Sequence, residues 1–163
     1  MNPEPIVITV EVDVDAATAF KIFTEEIGQW WRPGPISWYR SDHAIGMEME
    51  PKVDGKWLEL ADDGEHTEFG TVLSWEPGKR LMLSYRDIPN SEIEIRFDQL
   101  SDGTRIALEH RGWSEVDPAI AVKQRHIKRW GWASILGWYV EWTAWRSPSR
   151  SAGKLLTVPD EAW

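Results

Sequence analysis

Apolar and polar residues alternate with a period of two over much of this chain. In Ile6–Val14, branched apolar residues alternate with threonine and acidic residues, which is the pattern of a strand with one buried face. Six further runs of this kind follow, separated by Asp-Gly, Pro-Gly and Pro-Asn turns. They are His43–Glu50, Lys56–Ala61, Thr67–Glu76, Arg80–Arg86, Glu92–Gln99 and Thr104–His110. The pattern predicts an antiparallel sheet with one face in water.

Helical periodicity interrupts this pattern after the first strand and again after the last. Asp15 is placed to cap a short amphipathic helix, and a second short helix follows it. Asp117 at a cap and Pro118 at the first helical position open a much longer helix. This helix can run to about Arg146, because Pro148 cannot continue it.

Five tryptophans between Trp130 and Trp145 make the long helix apolar on two sides. At about 100° per residue, one broad face collects several of its apolar residues. They are Ile120, Ile127, Gly131, Ile135, Trp138, Trp142 and Trp145. We expect this face to close over the sheet. Val122, Ala133, Leu136 and Val140 lie nearly opposite, and Trp130 and Trp132 need cover from elsewhere.

The order of these elements predicts an α+β fold. A curved seven-stranded antiparallel sheet wraps around the long C-terminal helix, with two short helices after strand 1. Residues 1–146 form this single domain, and residues 147–163 form a C-terminal tail. A curved sheet and a straight helix do not fill the space between them, so we expect an apolar ligand cavity there.

The composition narrows the range of partners. The chain has 163 residues, a net charge of −9 and no cysteine. An acidic surface disfavours nucleic acid and anionic membranes. Without cysteine, and with His43, His66 and His126 outside any metal-ligand spacing, we expect neither a metal nor a cofactor. No signal-peptide pattern and no bilayer-length apolar run is visible, so we expect a cytoplasmic location.

The predicted cavity is lined by the concave face of the sheet and by the long helix. Its residues are Met47, Met49, Trp57, Tyr85, Ile93, Ile95, Phe97, His110, Ile127, Gly131, Ile135 and Trp138. His110 shares a strand face with Ile106 and Leu108. It is a candidate acid or base, because an imidazole titrates near neutral pH. The alternative is a structural histidine bonded to backbone near the Gly112 turn.

The strand pattern also predicts the orientation of two further side chains, Ile45 and Glu59. The alternation in the second strand places Ile45 on one face with Met47 and Met49. Glu59 shares a strand face with Trp57, but the leucines on either side of it favour the opposite orientation. We therefore expect the Glu59 carboxylate to face water.

Several short motifs follow one another in a definite order. They are Phe23–Trp31, Glu50-Pro51 with Gly55, Phe69–Val72, Trp75–Pro77, Arg96-Phe97, Gly103-Thr104, Leu108–Trp113, and Gly131-Trp132 with Leu136. In this arrangement the chain resembles the family named after the activator of the ninety-kilodalton heat-shock protein's ATPase. This family lies within the START-like (SRPBCC) helix-grip superfamily. The resemblance implies a helix-grip fold with an internal cavity, but it does not imply one activity.

The sequence leaves three functions open. The first is a non-enzymatic protein that binds a hydrophobic or aromatic small molecule in the cavity. The second is an enzyme of cyclase or hydrolase type that uses His110 as acid or base. The third is a chaperone ATPase-activator module, as the founding members of the family imply. The two-sided apolar helix separately predicts a homodimer.

Overall fold

The computed structural model describes residues 4–32, 38–113, 117–146 and 154–155. In chain order its elements are β1 (Ile6–Val12), α1 (Ala16–Glu25), α2 (Ile27–Trp30), β2 (Ala44–Met49), β3 (Lys56–Ala61), β4 (His66–Glu76), β5 (Arg80–Ser84), β6 (Glu92–Leu100), β7 (Gly103–Arg111), α3 (Pro118–Arg146) and β8 (Lys154–Leu155). Of the predicted tail, only β8 lies within the described residues. The remainder, 147–153 and 156–163, lies outside them.

The described strands form one antiparallel sheet in the order β2-β3-β4-β5-β6-β7-β1-β8. Seven of them are the predicted strands, and the sheet curls as a half-barrel around α3. This confirms the predicted α+β architecture. The eighth strand has only two residues and pairs with β1 at the edge of the sheet. Long-range pairing of β1 with β7 brings the first strand beside the last long one.

Side-chain caps define where the two longer helices begin. The Asp15 carboxylate accepts a hydrogen bond from the Thr18 N–H at 2.7 Å. Hydrogen bonding to the Thr18 side chain and to its N–H lowers the pKa of Asp15. The Asp117 carboxylate accepts a hydrogen bond from the Ala119 N–H at 3.0 Å. Both satisfy N–H groups that have no partner within the helix. The predicted helix starts are therefore confirmed.

A bulge in β2 changes one strand face. The register against β3 shifts between Ala44 and Gly46, so Ile45 leaves the face that it was expected to share. Ile45 is 70% exposed, whereas Met47 and Met49 are buried. The prediction for Ile45 was wrong, because an extra residue in one strand reverses the alternation on one side of it.

The long helix buries a different face from the predicted one. Its buried residues are Ala121, Trp132, Ala133, Ile135, Leu136, Tyr139, Val140 and Thr143. Ile120 and Trp145 were expected to face the sheet, but they are 55% and 65% exposed. Leu136 and Val140 were expected on the far side, but they belong to the core. Relative to the prediction, α3 is rotated by roughly a third of a turn about its axis.

Two aromatic side chains explain this rotation. The Trp132 Nε1–H donates to His110 Nδ1 at 3.1 Å, and the Tyr139 hydroxyl donates to the Ala19 carbonyl at 2.8 Å. Buried indole and phenol groups require such partners. Both faces of the helix are apolar, so hydrophobic periodicity could not choose between them. The positions of acceptors on the sheet and on α1 made the choice.

One core joins the helices to the sheet. The Phe23 ring lies 4.9 Å from Trp30, 5.2 Å from Tyr139 and 5.8 Å from Phe97, measured between ring centroids. These residues come from α1, α2, α3 and β6. The contacts set the position of α3 across the concave face, which is where the candidate site lies.

Gly70 provides a test of the close approach between β4 and β5. A Cβ at this position would lie 2.0 Å from the Ser84 carbonyl oxygen, so the two backbones would have to separate. We expect Gly70→Ala to lower the free energy of unfolding by about 2 kcal/mol or more. Chemical denaturation followed by circular dichroism measures the change.

Gly137 is the matched control, because a Cβ there meets nothing within 4 Å. Alanine is favoured over glycine inside a helix, so Gly137→Ala should raise the free energy of unfolding by about 0.5–1 kcal/mol. Similar destabilisation by both substitutions would show that the strand contact is not the cause.

Candidate functional site

The concave face of the sheet brings most of the predicted site residues together. Met47, Met49, Trp57, Tyr85, Ile93, Ile95 and Phe97 are buried in one core together with Ile135 of α3. His110 is completely buried beside them. Ile127 and Gly131 are half-buried, and Trp138 packs against the edge of the core. That these residues line a ligand site stays a prediction.

Five aromatic side chains occupy the space between the sheet and α3. We call Trp31, Trp57, Phe69, Tyr85 and Trp132 the aromatic cluster. Trp57 stacks on Phe69 with 4.9 Å between ring centroids and lies 6.3 Å from Tyr85. Trp31 lies 5.6 Å from Trp57 and 6.0 Å from Trp132. Ring contacts therefore run continuously from the sheet to the helix, and a ligand placed here would have flat apolar faces around it.

Two buried indole N–H groups lie in this part of the core without an acceptor. Trp57 is 1% exposed and Trp38 is 6% exposed. Neither Nε1 atom has a hydrogen-bond partner among the residues that the structure describes. Trp38 directly precedes Tyr39, whose ring lies 4.6 Å from Phe69. An unpaired buried donor costs about 1–3 kcal/mol, so such groups are uncommon.

His110 has hydrogen bonds at both ring nitrogens. Its Nδ1 accepts from the Trp132 Nε1–H at 3.1 Å. Because an indole N–H only donates, Nδ1 carries no hydrogen and the proton of the neutral ring lies on Nε2. Nε2 is 2.9 Å from the Ser91 Oγ, and the Ser91 hydroxyl donates to the Ile88 carbonyl at 2.6 Å. This chain of bonds joins α3 to β7 and to the turn before β6.

The surroundings keep His110 neutral. Burial lowers its pKa to about 3, and the positive charge of Lys128 contributes in the same direction. In the observed geometry the imidazole connects α3 to the sheet through its hydrogen bonds. The acid–base role considered from the sequence would first require one of its two side-chain bonds to break.

A polar triad lies at the outer end of the aromatic cluster. Lys128 Nζ donates to the Tyr85 hydroxyl at 3.0 Å and to the Asp87 carboxylate at 3.2 Å. The Tyr85 hydroxyl donates to Asp87 at 3.2 Å. Burial raises the pKa of Tyr85 well above its usual value, and the Asp87 charge adds to this. Tyr85 is therefore a hydrogen-bond donor and not a base.

Two surface clefts adjoin the core. The first has a volume of about 350 Å³ and is lined by Asp87, Ile88, Pro89, Ile120 and Gln124. It reaches the polar triad at Asp87. The second has a volume of about 260 Å³ and is lined by Gln29, Trp30, Arg32, Trp138, Glu141, Trp142 and Trp145. It lies between α2 and the part of α3 that was expected to face the sheet.

Glu59 is buried, contrary to the expectation that it faces water. It is 1% exposed and shares the inner face of β3 with Trp57. Its two carboxylate oxygens accept hydrogen bonds from the backbone N–H groups of Tyr39 and Arg40, at 2.7 and 2.8 Å. These donors compensate the loss of water. The carboxylate holds the chain at Tyr39 against the sheet, next to the aromatic cluster.

Several residues of this region were not among the predicted site residues. They are Trp31, Trp38, Phe69, Trp132, Lys128 and Asp87. Trp31, Trp38 and Lys128 lie outside the strands or on a helix side that showed no pattern. The one available signal for Trp31 and Trp38 is that they flank a proline-containing loop, and this position does not indicate which rings enter the core.

Within residues 4–32, 38–113, 117–146 and 154–155, no group of three histidine, aspartate or glutamate side chains could hold a metal ion. No helix in the described part of the chain is long and apolar enough to cross a bilayer. The expected absence of metal and cofactor stays a prediction.

A curled antiparallel sheet that grips one long C-terminal helix defines the helix-grip class of α+β proteins. Within this class, the family model described as activator of Hsp90 ATPase homolog 1-like protein matches residues 13–137. The match covers more than half of the chain, so the protein belongs to this family. The resemblance noted from its motifs is thereby confirmed. The comparison with curated proteins found no match.

Solved structures share the fold at low sequence identity. A crystal structure from Nitrosomonas europaea is 17% identical with a TM-score of 0.64, covering 88% of this chain and 95% of that one. One from Mesorhizobium loti is 17% identical with a TM-score of 0.63, covering 88% and 98%. The solution structure of an AHSA1-like protein from Aeromonas hydrophila is 21% identical with a TM-score of 0.57, covering 83% and 88%. At these identities the likeness concerns the fold.

The neutral, buried state of His110 predicts a pH-dependent stability. Its pKa is about 3 in the folded protein against an ordinary value of 6.5, so between these values the unfolded chain binds the proton more readily. Stability is fully present above pH 6.5 and falls as the pH decreases towards 3. The expected slope is up to about 1.4 kcal/mol per pH unit for one proton. Urea unfolding at several pH values measures it.

The variant His110→Phe separates this effect from that of the carboxylates. The pKa values of Glu26 and Glu94 lie below 4.5, so their contribution appears at lower pH. Between pH 6.5 and 4.5 the variant should lose most of the slope. An unchanged slope in the variant would contradict the buried, neutral histidine.

Proposed function

We propose that this protein binds a planar, apolar small molecule that carries hydrogen-bond acceptors, at the aromatic cluster between the sheet and α3. The observation that carries the proposal is the pair of buried indole N–H groups, Trp57 Nε1 and Trp38 Nε1, which lack acceptors among the described residues. A carbonyl or ether oxygen on a ligand would supply an acceptor for these N–H groups. Helix-grip proteins commonly bind hydrophobic ligands, which supports the same proposal.

The orientation of the rings favours a flat ligand. The Trp57 plane lies within 21° of Phe69 and 26° of Tyr85, so three aromatic faces share one direction. A planar molecule parallel to them gains stacking contacts as well as apolar burial. Because the rings now contact one another, binding requires at least one of them to move.

The polar triad suggests which ring moves. Tyr85 is held at its hydroxyl by Lys128 and Asp87, and the cleft beside Asp87 opens to the surface. Both bonds are only partly buried, so breaking them costs less than breaking fully buried ones, because water can replace the lost partners. We place the route of the ligand there.

A cytoplasmic location belongs to the same proposal and rests on the absence of cysteine.

Fluorenone and fluorene provide matched probes, since they share a planar tricyclic shape and only fluorenone has an acceptor oxygen. We expect the protein to bind fluorenone roughly three- to ten-fold more tightly than fluorene, the effect of one hydrogen bond. In Trp57→Phe, which keeps a ring but removes the N–H, this preference should largely disappear. Equilibrium dialysis with absorbance detection measures both affinities.

Trp145→Phe is the control, because Trp145 is 65% exposed and lies away from the aromatic cluster. It should keep the preference for fluorenone. The proposal fails if neither probe binds the unaltered protein. Equal affinity of the unaltered protein for both probes would exclude the indole donors as the recognition element.

Membership of the family supports a second candidate, a module that activates a chaperone ATPase. The exposed tryptophan-rich side of α3 is compatible with a protein partner, because aromatic residues are enriched at interfaces. Addition of the purified protein to the heat-shock chaperone should then raise its rate of ATP hydrolysis. Absence of both stimulation and binding would remove this candidate.

A further inference from the structure

The outward side of α3 presents a stripe of large rings and small gaps. We call Gly131, Trp138, Trp142 and Trp145 the outer stripe. Trp145 is 65% exposed, and Trp138 and Trp142 are half-buried. At Gly131 a Cβ would meet nothing within 4 Å. Partly exposed aromatic residues grouped in this way commonly mark an interaction surface.

The stripe has the spacing of a helix that packs against another helix. Gly131, Trp138 and Trp145 follow one another at intervals of seven residues, with Trp142 four residues after Trp138. This is the heptad spacing that keeps one seam of a helix facing a partner helix. The core of the protein uses a neighbouring face of the helix, about a third of a turn away, through Trp132, Leu136 and Tyr139. Trp138 and Trp142 therefore pack only against the edge of the core, and Trp145 lies largely in solvent.

The charges around the stripe balance one another. Arg32 pairs with Glu141, and Arg146 pairs with Glu26 at 2.6 Å. The chain as a whole has a net charge of −9, so two copies repel each other across most orientations. A locally neutral, aromatic face is where two copies can approach with little repulsion.

We propose that the outer stripe is the interface of a two-fold symmetric homodimer, in which the α3 helices of two copies pack antiparallel and cross at Trp138. In a two-fold interface the same patch occurs on both sides and must fit itself. With the axis at Trp138, Trp145 of one copy lies opposite Gly131 of the other, seven residues to either side of the axis. A large ring then meets the position with open space.

Parallel packing does not give this fit. It would place Trp145 against Trp145, so that two large rings compete for the same space. It would also place Gly131 against Gly131, which leaves a gap unfilled. It would also align the basic segment Lys123–Arg129 with its own copy, which costs electrostatic energy. Antiparallel packing instead moves Glu141 of one copy towards the other copy's half of the stripe. There it can pair with Arg32 of that other copy.

Sedimentation velocity of the full chain and of Gly131→Trp tests the interface. The unaltered protein should be dimeric at micromolar concentration. In Gly131→Trp a ring replaces the gap opposite Trp145, and the dimer dissociation constant should rise by roughly 30-fold or more, the loss of a hot-spot contact. Because nothing within 4 Å surrounds a Cβ at Gly131, the monomer fold should persist, which circular dichroism checks.

Val122→Trp is the matched control. Val122 is 71% exposed and lies on the same helix away from the outer stripe, so the added ring should leave the dimer unchanged. A monomer in the unaltered protein overturns the proposal and leaves the stripe to a ligand or a different protein. A dimer that Gly131→Trp does not weaken overturns the assigned interface.

Cysteine cross-linking tests the symmetry axis directly. The chain contains no cysteine. A single introduced cysteine can therefore form a disulfide only with the same cysteine in a second copy of the chain. Trp138→Cys places the two thiols at the proposed axis and should form a covalent dimer under mild oxidation, whereas Val122→Cys should not. Equal cross-linking of both variants, or none at Trp138→Cys, contradicts antiparallel packing about this residue.

Discussion

The hydrogen bond from the Trp132 indole to His110 determines how α3 sits on the sheet, and the remaining architecture depends on it. A long helix with apolar residues on two sides gains similar burial from either orientation. The free energy that separates the two orientations therefore comes from polar groups, because an indole N–H buried without an acceptor loses its bond to water. His110 supplies that acceptor from β7, and Ala19 supplies the corresponding acceptor for Tyr139 from α1.

This arrangement makes His110 part of the scaffold. Its neutral state, its tautomer and its position are set by Trp132 on one side and Ser91 on the other. The same contacts place Trp132 within the aromatic cluster and bring it to Trp31. The arrangement of the candidate binding region is thus a consequence of the helix orientation. It combines aromatic faces with two indole N–H groups that lack acceptors among the described residues.

The orientation also decides what the protein presents to the outside. When Trp132 and Tyr139 face the core, Trp138 and Trp145 lie towards the surface, where they form a cleft with α2. Burial of these rings against the sheet would have left Leu136 and Val140 exposed instead. One rotation of one helix therefore links the interior site to the outer stripe.

The local elements of this protein were readable from its sequence. The alternation in β1 and β3–β7, the caps at Asp15 and Asp117, and the set of turns predicted the strands, the helices and the α+β fold, because each depends on residues close together in the chain. The sheet-borne site residues, such as Trp57, Ile95 and His110, followed from the same alternation. The positions of Ile45 and Glu59 did not follow from it. A bulge turns Ile45 away from the buried face, and two backbone N–H donors allow the Glu59 carboxylate to be buried.

The tertiary structure decided the contacts between distant segments. Which side of α3 is buried, which rings enter the interior from Trp31 and Phe69, and why Glu59 is tolerated inside all depend on acceptors, donors and free space supplied by other elements. Hydrophobic periodicity records only how apolar a face is. It contains no information about where the partner of a buried N–H lies, and in this protein that partner determined the outcome.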